Sequence, residues 1–324
     1  MNSTIIVVNE EPYCIWEKDL KERNQEFINS IDGEYFEYLI KAHSPHIDEK
    51  DDKWAAVSLR LGYLHGLETL FSLIGAFLQA PDCAYAWISK CSTGDLRTLI
   101  SRINKSDPAI FKKWKIQSVS WQAISDIVFS YYVPSTEKNL ETRKQFANLW
   151  QRLSHDYLES NNIDEYNSLK HGFRIKPGGF GLQAGLEHTL GVSPPEGEMQ
   201  TLGYSKHGTT FYTLERVGGD VKTNRSFRSR RVSINWEIER IILLLQLIAI
   251  SIKNIAGILS VINGKKSTDV KFYTLADYSD FEKPWTFTSG VNNLKLDFVL
   301  EGVQPFTKEE LMSMIKTQED GKES

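Results

Sequence analysis

Residues 51–80 read DDKWAAVSLRLGYLHGLETLFSLIGAFLQA, and this stretch decides the architecture. Its apolar side chains, Val57, Leu59, Leu61, Leu64, Leu67, Leu70, Phe71, Ile74, Phe77 and Leu78, fall on every face of a helix. A helix that is apolar all round has no face to offer to water, so it belongs in the middle of a bundle. Asp51 or Asp52 can cap its start, and Pro81 ends it. Gly62 and Gly66 lie one turn apart and mark where a second helix can come close. A glycine inside a helix otherwise costs roughly 1 kcal/mol.

Outward from this helix, residues 3–8 have the character of a short strand, and the pattern from about Tyr13 to His171 is mostly helical. Further helices are predicted over 84–104, 108–130, 138–160 and from Ile163 to Lys170 or His171, the last closed by Gly172 as the residue after the cap. Residues 172–203 are rich in glycine and proline and predict a loop or extended excursion. Thr209–Val217 and Phe227–Ile234 then read as a β-hairpin joined through Gly218-Gly219-Asp220. A long buried helix over 235–262 follows, then strands at Lys271–Leu275, Trp285–Thr288 and Leu294–Leu300, a helix at Phe306–Lys316 and a disordered tail from Gln318. The fold class expected is α+β and predominantly α. A helical N-terminal bundle (1–171) precedes the excursion (172–203) and a smaller mixed part (204–317), whose long helix can pack back on the bundle.

Hydrophobic residues at 41% and charged residues at 25% exclude a wholly disordered or fibrous chain. Forty-two acids against 38 bases give a net charge of −4, which excludes a chain that is basic all over but not a local basic patch. Three cysteines without a Cys-x-x-Cys pair argue against a disulfide framework or a cysteine-rich zinc site. The first residues lack the basic segment and long apolar run of a secretion signal. Ile241–Ile262 is apolar enough to raise the question of a membrane span, but Gln246, Lys253 and Asn254 interrupt it. The expectation is a soluble cytoplasmic protein that does not enter a membrane.

Three clusters are candidates for function. On the apolar helix, Ser58, His65, Ser72 and Gln79 recur every seven residues, with Glu68 three after His65. A His–Glu pair there can act as an acid/base couple, the carboxylate holding the imidazole tautomer. It can equally meet polar groups of a neighbouring helix, because buried polar residues need partners whatever they do. A metal fits poorly: di-iron bundles need Glu-x-x-His motifs, which the chain lacks, and His43-Ser-Pro-His46 has no third ligand nearby. Neither a metal nor a cofactor is expected.

The second cluster is Asn167, Lys170 and His171 on one helical face, followed by Arg174. It could receive a phosphate or carboxylate, or simply end a helix, where cations suit the dipole. The third is Lys222, Arg225, Arg228, Arg230 and Arg231, beside Phe227 and near Phe211 and Tyr212. Strand alternation puts Arg228 and Arg230 on one side and Arg231 on the other. Arginines among aromatics can hold a nucleic-acid backbone and stack on bases. A charged edge hairpin kept soluble has the same composition.

The spacing Arg60-x4-His65, with the Asn167/Lys170/His171 helix end, resembles the HEPN superfamily of helical domains. The resemblance implies metal-independent RNA cleavage, with Arg60 steadying the phosphate, His65 moving the proton and two chains pairing their motifs in a homodimer. Two readings therefore stand. One is a nucleic-acid-directed protein, in its catalytic form a HEPN-like endoribonuclease with His65 or His171 as acid/base, Glu68 beside His65, and Arg60, Lys170 or Arg174 as phosphate clamp. The other is a non-catalytic scaffold or regulatory subunit whose polar stripe and arginine hairpin meet another protein.

Overall fold

The computed structural model describes residues 3–49, 52–107, 120–218, 223–299 and 301–320. The fold is α+β and mostly helical, with small antiparallel sheets. The chain divides into two compact units, the first Met1–Ile163 with Ile238–Phe287, the second Asp164–Glu237 with Thr288–Ser324.

The first unit opens with a hairpin, β1 (Ser3–Val8) and β2 (Glu11–Trp16), turned at Asn9 with φ 56°. β2 occupies residues whose surroundings predicted helix. Its β-forming Tyr13, Ile15 and Trp16 follow a tight turn that returns the chain along β1. Helices α1 (Leu20–Ser30), α2 (Glu34–His43) and α3 (Asp52–Gln79) follow. Asp52 stands at the start of α3, while Asp51 lies outside the described residues. Leu59, Leu70, Phe71, Ile74, Phe77 and Leu78 of α3 are fully buried. The stretch predicted as one helix over 84–104 is two, α4 (Ala84–Lys90) and α5 (Thr93–Asn104). The break is a capping box: Ser92 Oγ accepts from the Asp95 amide while the Asp95 carboxylate accepts from the Ser92 amide.

α6 (Trp121–Val128), α7 (Thr136–Leu158) and α8 (Ser160–Lys170) come next, and the part of the predicted 108–130 helix before residue 120 lies outside the described residues. The long apolar helix α9 (Ile238–Ile262) belongs to this same unit and packs along α3, with the buried Trp150 of α7 donating to Ser251 of α9 at 3.0 Å. α3 and α9 are both long and apolar enough to cross a membrane, and most of the apolar stretch of each is buried inside the protein. A Cβ on Gly66 would sit 3.0 Å from Ile248 of α9 and 3.3 Å from Phe36 of α2; one on Gly62 would sit 2.7 Å from Leu39 of α2. The two glycines are where the neighbouring helices come in.

The strands expected at Lys271–Leu275 and Trp285–Thr288 do not form. Around Tyr273 the buried side chain of Asn254 takes the place of a strand partner: it donates to the Tyr273 carbonyl at 2.8 Å and accepts from its amide at 2.7 Å. Lys283–Thr286 is a 3₁₀ turn with Pro284 inside it, and Trp285 lies under the Arg152 guanidinium at 4.5 Å.

In the second unit, a four-stranded antiparallel sheet runs in the order β3 (Lys176–Pro177), β6 (His207–Arg216), β7 (Phe227–Trp236), β8 (Asn293–Asp297). β4 (Gly181–Ala184) and β5 (Gln200–Tyr204) pair separately, so the excursion over 172–203 carries three short strands and is not a plain loop. Asn235 of β7 anchors it: its side-chain oxygen accepts from the Phe180 amide at 2.8 Å, and its amide donates to the Phe180 and Val291 carbonyls at 3.0 Å. α10 (Lys308–Asp320) runs beyond the predicted end at Lys316, into the expected tail; residues 321–324 lie outside the described residues. The tip of the hairpin, 219–222, does so as well.

Candidate functional site

The polar stripe of α3 divides into three fates. Ser58 bonds back to the Trp54 carbonyl of its own helix at 2.9 Å. Gln79 holds the N-terminal hairpin, accepting from the Asn9 amide at 2.9 Å and donating to the Asn9 carbonyl at 3.1 Å. His65, Glu68 and Ser72 line an open cleft of about 450 Å³ with Ser30, Asp32, Cys91, Thr93 and apolar Phe27, Leu73 and Ile252. Thr93 Oγ1 donates to Glu68 at 3.4 Å, and the His65 ring stands 6.0 Å from that of Phe36. Burial pushes the Cys91 thiol up to about 12, so at neutral pH it is a thiol and not a thiolate. Among the described residues lining this cleft there is no lysine or arginine.

Arg60 is not in the cleft. It is buried, 5.4 Å over the Tyr63 ring, and donates to Asn162 at 2.7 Å. Five positions on a helix turn the two side chains about 140° apart, so Arg60 and His65 serve different places. Arg60 stands in a polar group built around Asp156, whose carboxylate accepts from the Tyr63 hydroxyl at 2.6 Å and from Arg240 at 3.1 Å. Burial, then the Asp156 charge, holds the Tyr63 hydroxyl well above its ordinary range, so it remains a donor. Among the described residues, no group of three His, Cys, Asp or Glu is placed to hold a metal ion, and His46 of the His43/His46 pair lies 2.8 Å from Glu49.

In the second unit, α8 ends in a left-handed turn: Gly172 has φ 98°, Phe173 φ 54°, and the Arg174 amide donates to the Ser168 carbonyl at 2.8 Å. Lys170 and His171 are exposed at this end, the Lys170 ammonium 5.2 Å from the Tyr166 ring. The turn sends Arg174 along the edge of the sheet. There Phe173, Arg174, Ile175, Lys176, Thr210, Tyr212 and Arg231 line a pocket of about 470 Å³.

The sheet itself sorts its charges by register. Glu215 stands opposite Arg228, and Arg230 opposite Asp297, which puts all four on one face. Arg228 reaches Glu215 at 2.5 Å and Asp297 at 3.4 Å; Arg230 reaches Glu215 at 2.7 Å and Asp297 at 2.5 Å. The hydrogen bond from Arg230, then the nearby Arg228 charge, holds the Asp297 carboxyl below its usual range. These two arginines are therefore neutralised within the sheet, and the expectation that they grip a phosphate together meets two carboxylates already in place.

Arg231 points the other way. It pairs in register with Tyr212 on one side and Leu296 on the other. The same face carries Lys176, Leu214, Arg216 and Phe227, with the Arg216 guanidinium 5.6 Å from the Phe227 ring. Phe298 stands just past β8, its ring 6.0 Å from that of Tyr212. By strand alternation no carboxylate falls on this face among the described strand residues. Arg225 is exposed near the hairpin tip, its amide bonded to the Phe306 carbonyl at 2.8 Å, and Lys222 lies outside the described residues. Of the aromatics near the arginines, Phe211 is buried and Tyr212 is open. Lys176, Phe298, Glu215 and Asp297 were not singled out from sequence. Glu215 could have been found by pairing the hairpin strands, whereas nothing local ties Asp297 to Arg230, 67 residues away.

Set against known protein families, curated proteins and solved structures, the chain matches none.

Proposed function

We propose that this chain is a nucleic-acid-binding protein whose contact surface is the open face of the second unit's sheet. One observation carries the reading: Arg174, Lys176 and Arg231 converge on a pocket beside Tyr212, while Glu215 and Asp297 are turned to the opposite face. A phosphate backbone is attracted to a surface by such cations, and carboxylates among them would oppose it. The net charge of −4 is no obstacle, because Glu215 and Asp297 lie on one face, paired with Arg228 and Arg230, while Lys176 and Arg231 lie on the other.

The proposed role is binding without cleavage. The cleft that holds His65 also holds Asp32 and Glu68 and, among its described lining residues, no cation to neutralise a phosphodiester. The arginine that the resemblance would place at the developing charge, Arg60, donates to Asn162 instead. Lys170 and His171 stand at the α8 end, which leads into the basic pocket through Phe173 and Arg174, so they border the proposed surface.

The test is titration of fluorescent RNA and DNA oligonucleotides at several salt concentrations. Arg174→Glu with Arg231→Glu should weaken binding and lower the salt slope by about 2, one for each phosphate no longer held. Unchanged affinity and slope in that double variant would refute the surface. Failure of every RNA and DNA probe to bind the wild-type chain would refute the function.

A further inference from the structure

We infer that the same face is built for a single strand, with a base laid on the Tyr212–Phe298 pair and its phosphate held by Arg231 together with Arg174 and Lys176. This rests on the nucleic-acid reading above and adds which form of nucleic acid is taken. Tyr212 is 65% exposed and Phe298 60% exposed, although aromatic rings of this size usually give most of their surface to a core. Their ring centroids are 6.0 Å apart at an interplanar angle of 31°, so they present one broad tilted platform. Arg231 faces Tyr212 directly across the β6–β7 ladder, which places a cation at the edge of the platform.

The rest of the face decides between one strand and two. Leu214 and Leu296 are 70% and 46% exposed on either side of the Tyr212–Arg231 pair. A duplex shows a surface its charged backbones and hydrated grooves, with the base faces hidden against one another. Seated here, it would lose hydration over leucines and aromatics and gain only the cation contacts. A single strand can turn its base faces to the sheet and keep its phosphates at the cations. Stacking on an aromatic side chain is available to every base, so this surface selects strandedness ahead of sequence. The carboxylates that would repel the strand are bound to Arg228 and Arg230 behind the sheet.

The experiment compares one 12-nucleotide strand with the same sequence closed into a hairpin duplex, by fluorescence anisotropy with the full chain. The wild-type chain should bind the open strand about ten times more tightly. Tyr212→Ala with Phe298→Ala should cost about ten- to a hundredfold in single-strand affinity, leaving the salt slope unchanged. Tyr212→Phe should retain binding, and circular dichroism should show the same fold in each variant, since both side chains are exposed. Equal affinity for strand and duplex, or indifference to the aromatic double variant while Arg174→Glu with Arg231→Glu still weakens binding, would overturn this inference and leave the nucleic-acid reading standing. No binding of either probe to the wild-type chain would overturn both.

Discussion

Arg230 closes on Asp297 with a two-bond fork, Nε to Oδ1 at 2.5 Å and a terminal nitrogen to Oδ2 at 3.2 Å, between residues 67 apart in the chain. The fork ties β8 to the hairpin β6–β7. It also turns two of the most conspicuous arginines of the sequence away from any external ligand, because Arg228 shares the same two carboxylates.

The fork makes stability depend on acid. Held low by Arg230, the folded Asp297 carboxyl stays ionised below the ordinary aspartate value of about 3.9. Its contribution is complete above that value and is lost as pH falls through the lower folded value. Asp297→Asn should therefore flatten part of the acid limb of the stability curve as pH falls below the ordinary aspartate range, as read from urea midpoints. Identical acid slopes in the variant and the wild type would show that the pair contributes nothing.

Asp156→Ala should destabilise the first unit by about 2 kcal/mol, because it leaves the buried Tyr63 hydroxyl without its acceptor and Arg240 without its carboxylate. Denaturant titration measures this directly. A change under about 0.5 kcal/mol, the usual size for a surface substitution, would mean the group is not a buried network.

Asn254→Leu removes both side-chain bonds that hold the Tyr273 backbone. The expected result is a loss of about 1–3 kcal/mol, with faster amide exchange concentrated around residue 273. Amide exchange unchanged at Tyr273 would show that the segment is held by its packing alone.

Thiol labelling should rank the three cysteines by place. Cys14 is exposed and Cys83 buried, and the Cys91 thiol is pushed up to about 12 by its burial in the cleft. Iodoacetamide at pH 7.5 should modify Cys14 first, with Cys91 following only on unfolding. Mass spectrometry of the digested protein reads the order, and early labelling of Cys91 would reveal a thiolate there.

Much of the helical frame was legible because it rests on periodicity and local caps. The apolar stretch of α3, the long α9, the strands of the hairpin and the Gly172 stop each declare themselves within a few residues. Two departures arise where a distant residue supplies what a local pattern expects. Tyr273 has β-like neighbours but bonds to a side chain on α9, so no strand forms. The glycines and prolines of 172–203 weaken local structure, yet Asn235 holds Phe180 and short strands form beside it. The split between α4 and α5 was written locally, in Ser92 and Asp95, and is a capping signal inside an apolar run.

For the candidate surface the division is sharper. Strand alternation by itself determined that Arg228 and Arg230 share a face and that Arg231 takes the other, because side chains along a strand point to opposite sides with period two. Only the tertiary structure decided which face stays charged. β8 brings Asp297 to Arg228 and Arg230, while the turn after α8 brings Arg174 and Lys176 to Arg231. Charge on a surface is a sum over neighbours in space, and those neighbours lie tens of residues apart in the chain.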